Sequence, residues 1–114
     1  MPTSHLELER GDSHNADIAV VALNGKLSLE TVHDFIATMR EDAAPVLILD
    51  MSRCSFLDSA GVGALVSLFV SRRNHSKKLA LAALTQQGKA VMQVSGLMKL
   101  LPLYDTVEQA VAAK

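Results

Sequence analysis

The chain has 114 residues, of which 49% are hydrophobic, and a formal net charge of −1. That length supports one domain with a real apolar core and needs no metal or disulfide staples, and the apolar fraction excludes wholesale disorder. Dispersed basic residues, no Trp and a single Tyr supply neither the basic face nor the stacking platforms of a nucleic-acid module, so no nucleic-acid partner is expected.

The first segment, Met1-Pro2-Thr3-Ser4-His5-Leu6-Glu7, lacks a basic region followed by an apolar one, so no signal peptide is read there. Residues 1–4 read as a flexible tail. Leu6 and Leu8 alternate with Glu7 and Glu9, as in a half-exposed strand. Gly11-Asp12-Ser13-His14-Asn15 is a turn by composition, and Ile18 to Leu23 is a second, more buried strand, giving a hairpin. Asn24-Gly25-Lys26-Leu27-Ser28 reads as a break. A helix is expected from about Leu29 to Glu41, with Val32, Phe35, Ile36 and Met39 on one stripe and Ser28 as its N-cap.

Pro45 opens the aliphatic run Val46-Leu47-Ile48-Leu49, a buried strand reaching Met51. Asp58-Ser59 stands where this strand turns into a helix. A long helix then starts at the Asp58-Ser59 corner and runs to about Arg73. It is apolar over most of its circumference, and its plain explanation is cover by other elements of the chain. Arg72, Arg73, His75, Lys77 and Lys78 gather where it ends, which reads as a solvated basic helix end complementing the dipole, with an anion site as the alternative. Leu79 to Leu84 is a strand. Gln86 to Val94 is a helix with Ala90, Val91 and Val94 toward the core, stopped by Gly96. Leu100 to Tyr104, interrupted by Pro102, is a link or short edge strand. Asp105 or Thr106 caps a last helix carrying Val107, Ala110 and Val111 on one face. The order predicts an α/β fold: a mixed, mostly parallel sheet of four to five strands flanked by about four helices.

Several chemistries are tested by spacing and fail. Cys54 is the only cysteine, so no intramolecular disulfide forms, in keeping with a reducing compartment. The four histidines are far apart, and no pair has the spacing of a zinc site. Gly61-Val62-Gly63 has the placement of a phosphate-binding turn, but Val66 breaks G-x-G-x-x-G and no Walker pattern occurs. Ser59 stands where a hydrolase nucleophile would, yet Asp58-Ser59-Ala60-Gly61 is not G-x-S-x-G, and no histidine base is placed by any signature. No cofactor and no enzymatic activity are expected. No apolar run approaches the roughly 18 residues of a membrane span, so no direct membrane insertion is expected and the expected location is the cytoplasm. Ser59 remains either a helix cap or a modifiable hydroxyl, and Asp58 alone can serve as the cap.

The residues resemble a family. Leu47-Ile48-Leu49-Asp50-Met51-Ser52 followed by Phe56-Leu57-Asp58-Ser59-Ala60-Gly61-Val62-Gly63 looks like the signature of STAS-domain anti-sigma-factor antagonists. Gly25-Lys26-Leu27-Ser28-Leu29-Glu30-Thr31 and Ser95-Gly96-Leu97 agree with two further family segments. The resemblance implies a STAS domain that binds an anti-sigma factor serine kinase, frees the sigma factor, and lets go when the kinase phosphorylates Ser59. A serine phosphatase acting on phospho-Ser59 resets it. The partner-binding surface it implies comprises Asp58, Ser59, Ala60 and Gly61, with Ser28 and Thr31 from the loop before the first helix. Two residues depart from the family pattern: Ala60 replaces a second hydroxyl residue, and Ser28 replaces an aspartate. The rival in the same fold is a non-switching interaction module, a scaffold or transporter-associated subunit, in which Ser59 is only a cap. A nucleotide-binding hydrolase is the reading from another class.

Overall fold

The computed structural model describes residues 5–11 and 15–113. The tail expected at residues 1–4 and the centre of the turn expected at residues 11–15 lie outside the described residues. Ten elements follow in order: β1 (Leu6–Gly11), β2 (Ile18–Leu27), α1 (Val32–Arg40), β3 (Val46–Asp50), β4 (Cys54–Leu57), α2 (Ser59–Asn74), β5 (Lys78–Ala82), α3 (Gln86–Val94), β6 (Leu103–Tyr104) and α4 (Val107–Ala113). The sheet runs β1-β2-β3-β5-β6, and β4 also pairs with β2. Among the described residues only β1 and β2 are antiparallel; the other pairings are parallel.

Hydrophobic pattern explains the layers. Leu47, Ile48 and Leu49 are all fully buried because β3 is covered on both faces. Leu47 and Leu49 join Phe35, Leu65, Leu68 and Met92 in the main core under α1, α2 and α3. Ile48 points the other way, into a smaller cluster with Ile18, Ala80, Ala82 and Ala110 of α4. In β1, Leu6 and Leu8 pack against the main core while Glu7 and Glu9 are exposed, as the alternation requires.

Among the described residues the sheet has six strands rather than four to five, and the addition matters for the site. β2 does not stop at Leu23. Its first half, Ile18 to Ala22, pairs with β3; its second half, Gly25 to Leu27, pairs with β4. The register shifts between Gly25 and Lys26, where Gly25 has φ +128°. A Cβ there would lie 2.1 Å from the His5 carbonyl oxygen, so β1 can cross at that point only over a glycine. The segment read as a break is therefore strand, held by β4 on one side and by the Lys26 amide donating to His5 on the other.

Three further expectations change. Helix α1 starts at Val32, not Leu29, and Ser28 does not cap it: the Thr31 hydroxyl accepts from the Ser28 amide (3.0 Å) and donates to the Lys26 carbonyl (2.8 Å), closing a separate turn. Arg72 is not solvated. It is 4% exposed and clasps three carbonyls, those of Lys78 (2.9 Å), Asp42 (3.2 Å) and Ala44, tying the end of α2 to the entries of β3 and β5. In α3 the core-facing residues are Gly88, Val91 and Met92, whereas Ala90 is exposed and Val94 is 89% exposed. Other signals agree with the structure. Gly96 ends α3 with φ +73°, and Leu97 donates back to Met92 as a Schellman cap requires. Thr106, not Asp105, caps α4 by accepting from the Gln109 amide.

Candidate functional site

The strand that was expected to feed α2 directly does so through a detour. β3 ends at Asp50, whose carboxylate accepts from the Ser52 amide and turns the chain. β4 then brings Cys54 to Leu57 alongside the end of β2 and delivers Asp58 to the head of α2. Cys54 and Leu57 point into the core, and Ser55 and Phe56 face solvent. Burial pushes the Cys54 thiol's pKa up, since the charged thiolate would be poorly solvated there.

Asp58 is the N-cap of α2, in extended conformation. One carboxylate oxygen accepts from the Gly61 amide (2.8 Å) and the other from the Leu29 amide (3.1 Å). The same side chain thus caps the helix and ties down the β2–α1 loop. Gly61 completes the joint: a Cβ on it would lie 2.3 Å from the Leu27 carbonyl oxygen, so only glycine lets the first turn of α2 close onto that loop. From the other side, the Gln87 side chain acts as a short length of strand. It accepts from the Leu57 amide (3.0 Å) and donates to the Leu57 carbonyl (2.8 Å). No motif in the sequence marks Gln87; its position in the first turn of α3 is the only signal it gives.

Ser59 is the first residue of α2 and is exposed. Its hydroxyl has no hydrogen-bond partner among the described residues. The amides of Ser59 and Ala60 are likewise unpaired, as the first donors of a helix are. Gly63, one turn further on the same face, is exposed with open space around it. Two apolar side chains near this corner face solvent, Leu29 at 74% and Phe56 at 41%.

Among the six residues assigned to the site from sequence, Asp58 and Ser59 stand together at the corner, half-buried and exposed respectively, with Ala60 half-buried beside them. Thr31 is half-buried in the adjoining loop. Ser28 and Gly61 lie beneath the surface. Gly61 is a glycine for packing inward rather than for access from outside, and the Ser28 hydroxyl is buried without a partner. Sequence reasoning did not single out Leu29 and Phe56.

The chemistry available is limited. Both oxygens of Asp58 are engaged with amides, and no side chain of a described residue hydrogen-bonds to Ser59 as a base would. Among the described residues no three His, Cys, Asp or Glu side chains gather as metal ligands, and no helix is long and apolar enough to cross a membrane. What the corner offers is an accessible hydroxyl on a helix N-terminus, which favours anions.

A family model of the STAS domain matches residues 12–110. The chain belongs to the STAS domain family. Among curated relatives of this STAS domain is an anti-sigma F factor antagonist of Paenibacillus polymyxa, 23% identical over 97 residues, covering 81% of this chain and 82% of the relative. Among solved structures, an anti-sigma factor antagonist from Mycobacterium paratuberculosis superposes with a TM-score of 0.83 at 22% identity, covering 96% of this chain and 93% of that one. The Bacillus cell fate determinant SpoIIAA in its phosphorylated form superposes with a TM-score of 0.68 at 24% identity, covering 96% and 98%. These structural likenesses extend over nearly the whole of each chain and show the shared fold.

Proposed function

We propose that this STAS domain is an anti-sigma-factor antagonist switched by phosphorylation of Ser59. The unmodified form binds an anti-sigma factor that is itself a serine kinase, and the sigma factor is freed. The kinase then transfers the γ-phosphoryl group of ATP to the Ser59 Oγ. The bond from Oγ to phosphorus forms, the bond from phosphorus to the β-phosphate oxygen breaks, ADP leaves, and the hydroxyl proton passes to the kinase. The modified form dissociates, and a serine phosphatase hydrolyses the phosphate to restore it.

The observation that carries this reading is the division of labour at the corner. Asp58 does the capping, so the neighbouring Ser59 hydroxyl is exposed and unengaged. A phosphate there carries about −1.5 to −2 charges at neutral pH. The free amides of Ser59 and Ala60 lie close by and favour it, so the modified domain tolerates the group. The exposed Leu29 and Phe56 give a docking partner apolar surface to bury beside Ser59. Once that surface is covered, a new charge at its edge is desolvated or faces like charge, which costs several kcal/mol. About 1.4 kcal/mol is a factor of ten in affinity, so this suffices for release without refolding.

Incubation with the cognate kinase and ATP tests the reading. One phosphate per chain is expected on the wild type and none on Ser59→Ala, and Ser59→Asp weakens kinase binding at least tenfold. Phosphate uptake by Ser59→Ala, or no uptake by the wild type with the kinases encoded beside it, would leave the non-switching module as the better account.

A further inference from the structure

We propose that this STAS domain has a second binding site, for a small anionic amphiphile of the medium-chain carboxylate type, in a cavity at the opposite end of α2 from Ser59. The cavity has a volume of about 270 Å³ and lies between α2, the free edge of β5 and α4. That volume is near the lower limit of ligand pockets, so the ligand is small. Its walls are apolar: Phe69 from α2, Leu79 and Ala80 from β5, Pro102 and Tyr104 around β6, and Ala110 from α4. Three cations, Arg73, Lys77 and Lys78, also line it. Among the described residues no carboxylate lines it, and none of the three cations has an ion-pair partner there.

The cavity exists because β6 is only two residues long. β6 pairs with Leu81 and Ala82, leaving the start of β5 uncovered on that side. Leu81 and Ala83 donate toward the β6 side, to Pro102 and Tyr104, and by alternation Leu79 faces the same way with no strand opposite. One residue's amide and carbonyl are too few to hold an added peptide strand, which favours a small ligand over a β-strand partner. The sign and size of the head group follow from the surroundings. Arg73 at the end of α2 complements the helix dipole, but Lys77 and Lys78 lie beyond the helix and add charge that the dipole does not require. The cavity abuts the C-terminal end of α2, where the dipole disfavours anions, so the side-chain cations must hold the head group alone. A singly charged carboxylate suits that better than a phosphate, which gains most at helix N-termini. An apolar body against the walls and an anionic head at the three cations matches the division between them.

The site has a built-in reporter. Tyr104 is the only tyrosine and there is no Trp, so its emission reads this cavity alone. Decanoate, added to the whole chain below its micelle concentration, is expected to change Tyr104 emission saturably. It should also shift amide resonances of residues 77–80, 103 and 104 while leaving residues 57–63 in place. Decanol and decyltrimethylammonium at the same concentrations should bind at least tenfold more weakly. Lys77→Gln with Lys78→Gln should weaken decanoate at least fivefold, and Ala113→Phe at the rim should block it, with unchanged thermal unfolding as the check on folding. No Tyr104 response to millimolar decanoate, equal binding of decanol, or undiminished binding by the charge variant overturns the proposal. So does a response seen only with phosphatidylglycerol vesicles. The site is separate from Ser59: α2 has 16 residues and spans about 24 Å. Failure here therefore leaves the phosphorylation switch untouched.

Discussion

The two glycines of α2 should respond to alanine in opposite directions. In a helix, Gly→Ala ordinarily gains up to about 1 kcal/mol, somewhat less near an end. At Gly63 the new methyl meets open space, so Gly63→Ala should stabilise the domain by about 0.5 kcal/mol. At Gly61 it would lie 2.3 Å from the Leu27 carbonyl oxygen and 2.8 Å from Leu57 Cδ1. The Leu57 side chain can move; the Leu27 backbone cannot, because it ends the β2–β4 pairing and leads into the loop tied to Asp58. Overpacking of this kind costs about 1–3 kcal/mol, which outweighs the helix gain and leaves a net loss of about 1–2 kcal/mol. For a chain of this length that is a fall in Tm of roughly 3–10 °C. Urea denaturation followed by circular dichroism measures both variants on one scale. A Gly61→Ala variant as stable as the wild type would refute the claim that this glycine is present for close approach. The pair also separates stability from access. Gly63 shares the exposed face of Ser59, so Gly63→Leu should fold normally yet slow phosphorylation.

Three other perturbations test the supports of the corner. Gln87→Leu removes both partners of a buried backbone residue and should cost about 2 kcal/mol or more, read by denaturation, with faster hydrogen exchange at Leu57; Gln87→Glu, which keeps the acceptor, should lose less. Ser28→Ala removes a buried hydroxyl that has no partner, so it should leave stability unchanged or raise it by about 1 kcal/mol; a loss above that size would mean the hydroxyl is engaged. Cys54 has its thiol pKa raised by burial, so the folded state holds the proton more tightly than the unfolded one. Its contribution to stability is complete below the ordinary thiol pKa and is lost as pH rises through the folded value. Stability should therefore fall at alkaline pH less steeply in Cys54→Ala, and iodoacetamide should label the native wild type slowly.

The elements legible in the sequence are those whose signal is local. β3 announces itself as an aliphatic run after Pro45, α3 by the Gly96 that stops it, and the head of α2 by a capping aspartate before small residues. β4 and the second half of β2 were not legible because each is a strand only by virtue of the other. Asn24-Gly25-Lys26 has turn composition, and the bonds that hold it extended come from Arg53 and His5, distant in the chain. The face of α3 was misassigned because one of its core positions is Gly88, which packs against Leu84 and Thr85 yet contributes no apolar side chain to a periodicity. Arg72 looked like any cation at a helix end; its burial follows from three carbonyls supplied by other segments. The motif around Ser59 was legible for the same reason as β3, and its neighbours Leu29 and Phe56 were not, since exposure of an apolar side chain is a property of the fold.

These supports bear on how a switch at Ser59 would have to work. Asp58 has no spare oxygen, Leu57 is held by Gln87, and Gly61 is closed against Leu27. Moving the head of α2 would break several of these contacts at once. Each hydrogen bond left unmade in a buried place costs about 1–3 kcal/mol, so a rearrangement that breaks three or four would cost more than one phosphate gains from the helix amides. The lower-energy course is to leave the backbone where it is and place the new charge on the surface. Under the proposed function, signalling at this corner is then a change of charge on a fixed shape, and its strength depends on how closely the partner covers Leu29 and Phe56. Ala60 fits that picture: with no second hydroxyl beside Ser59, the corner takes one phosphate or none.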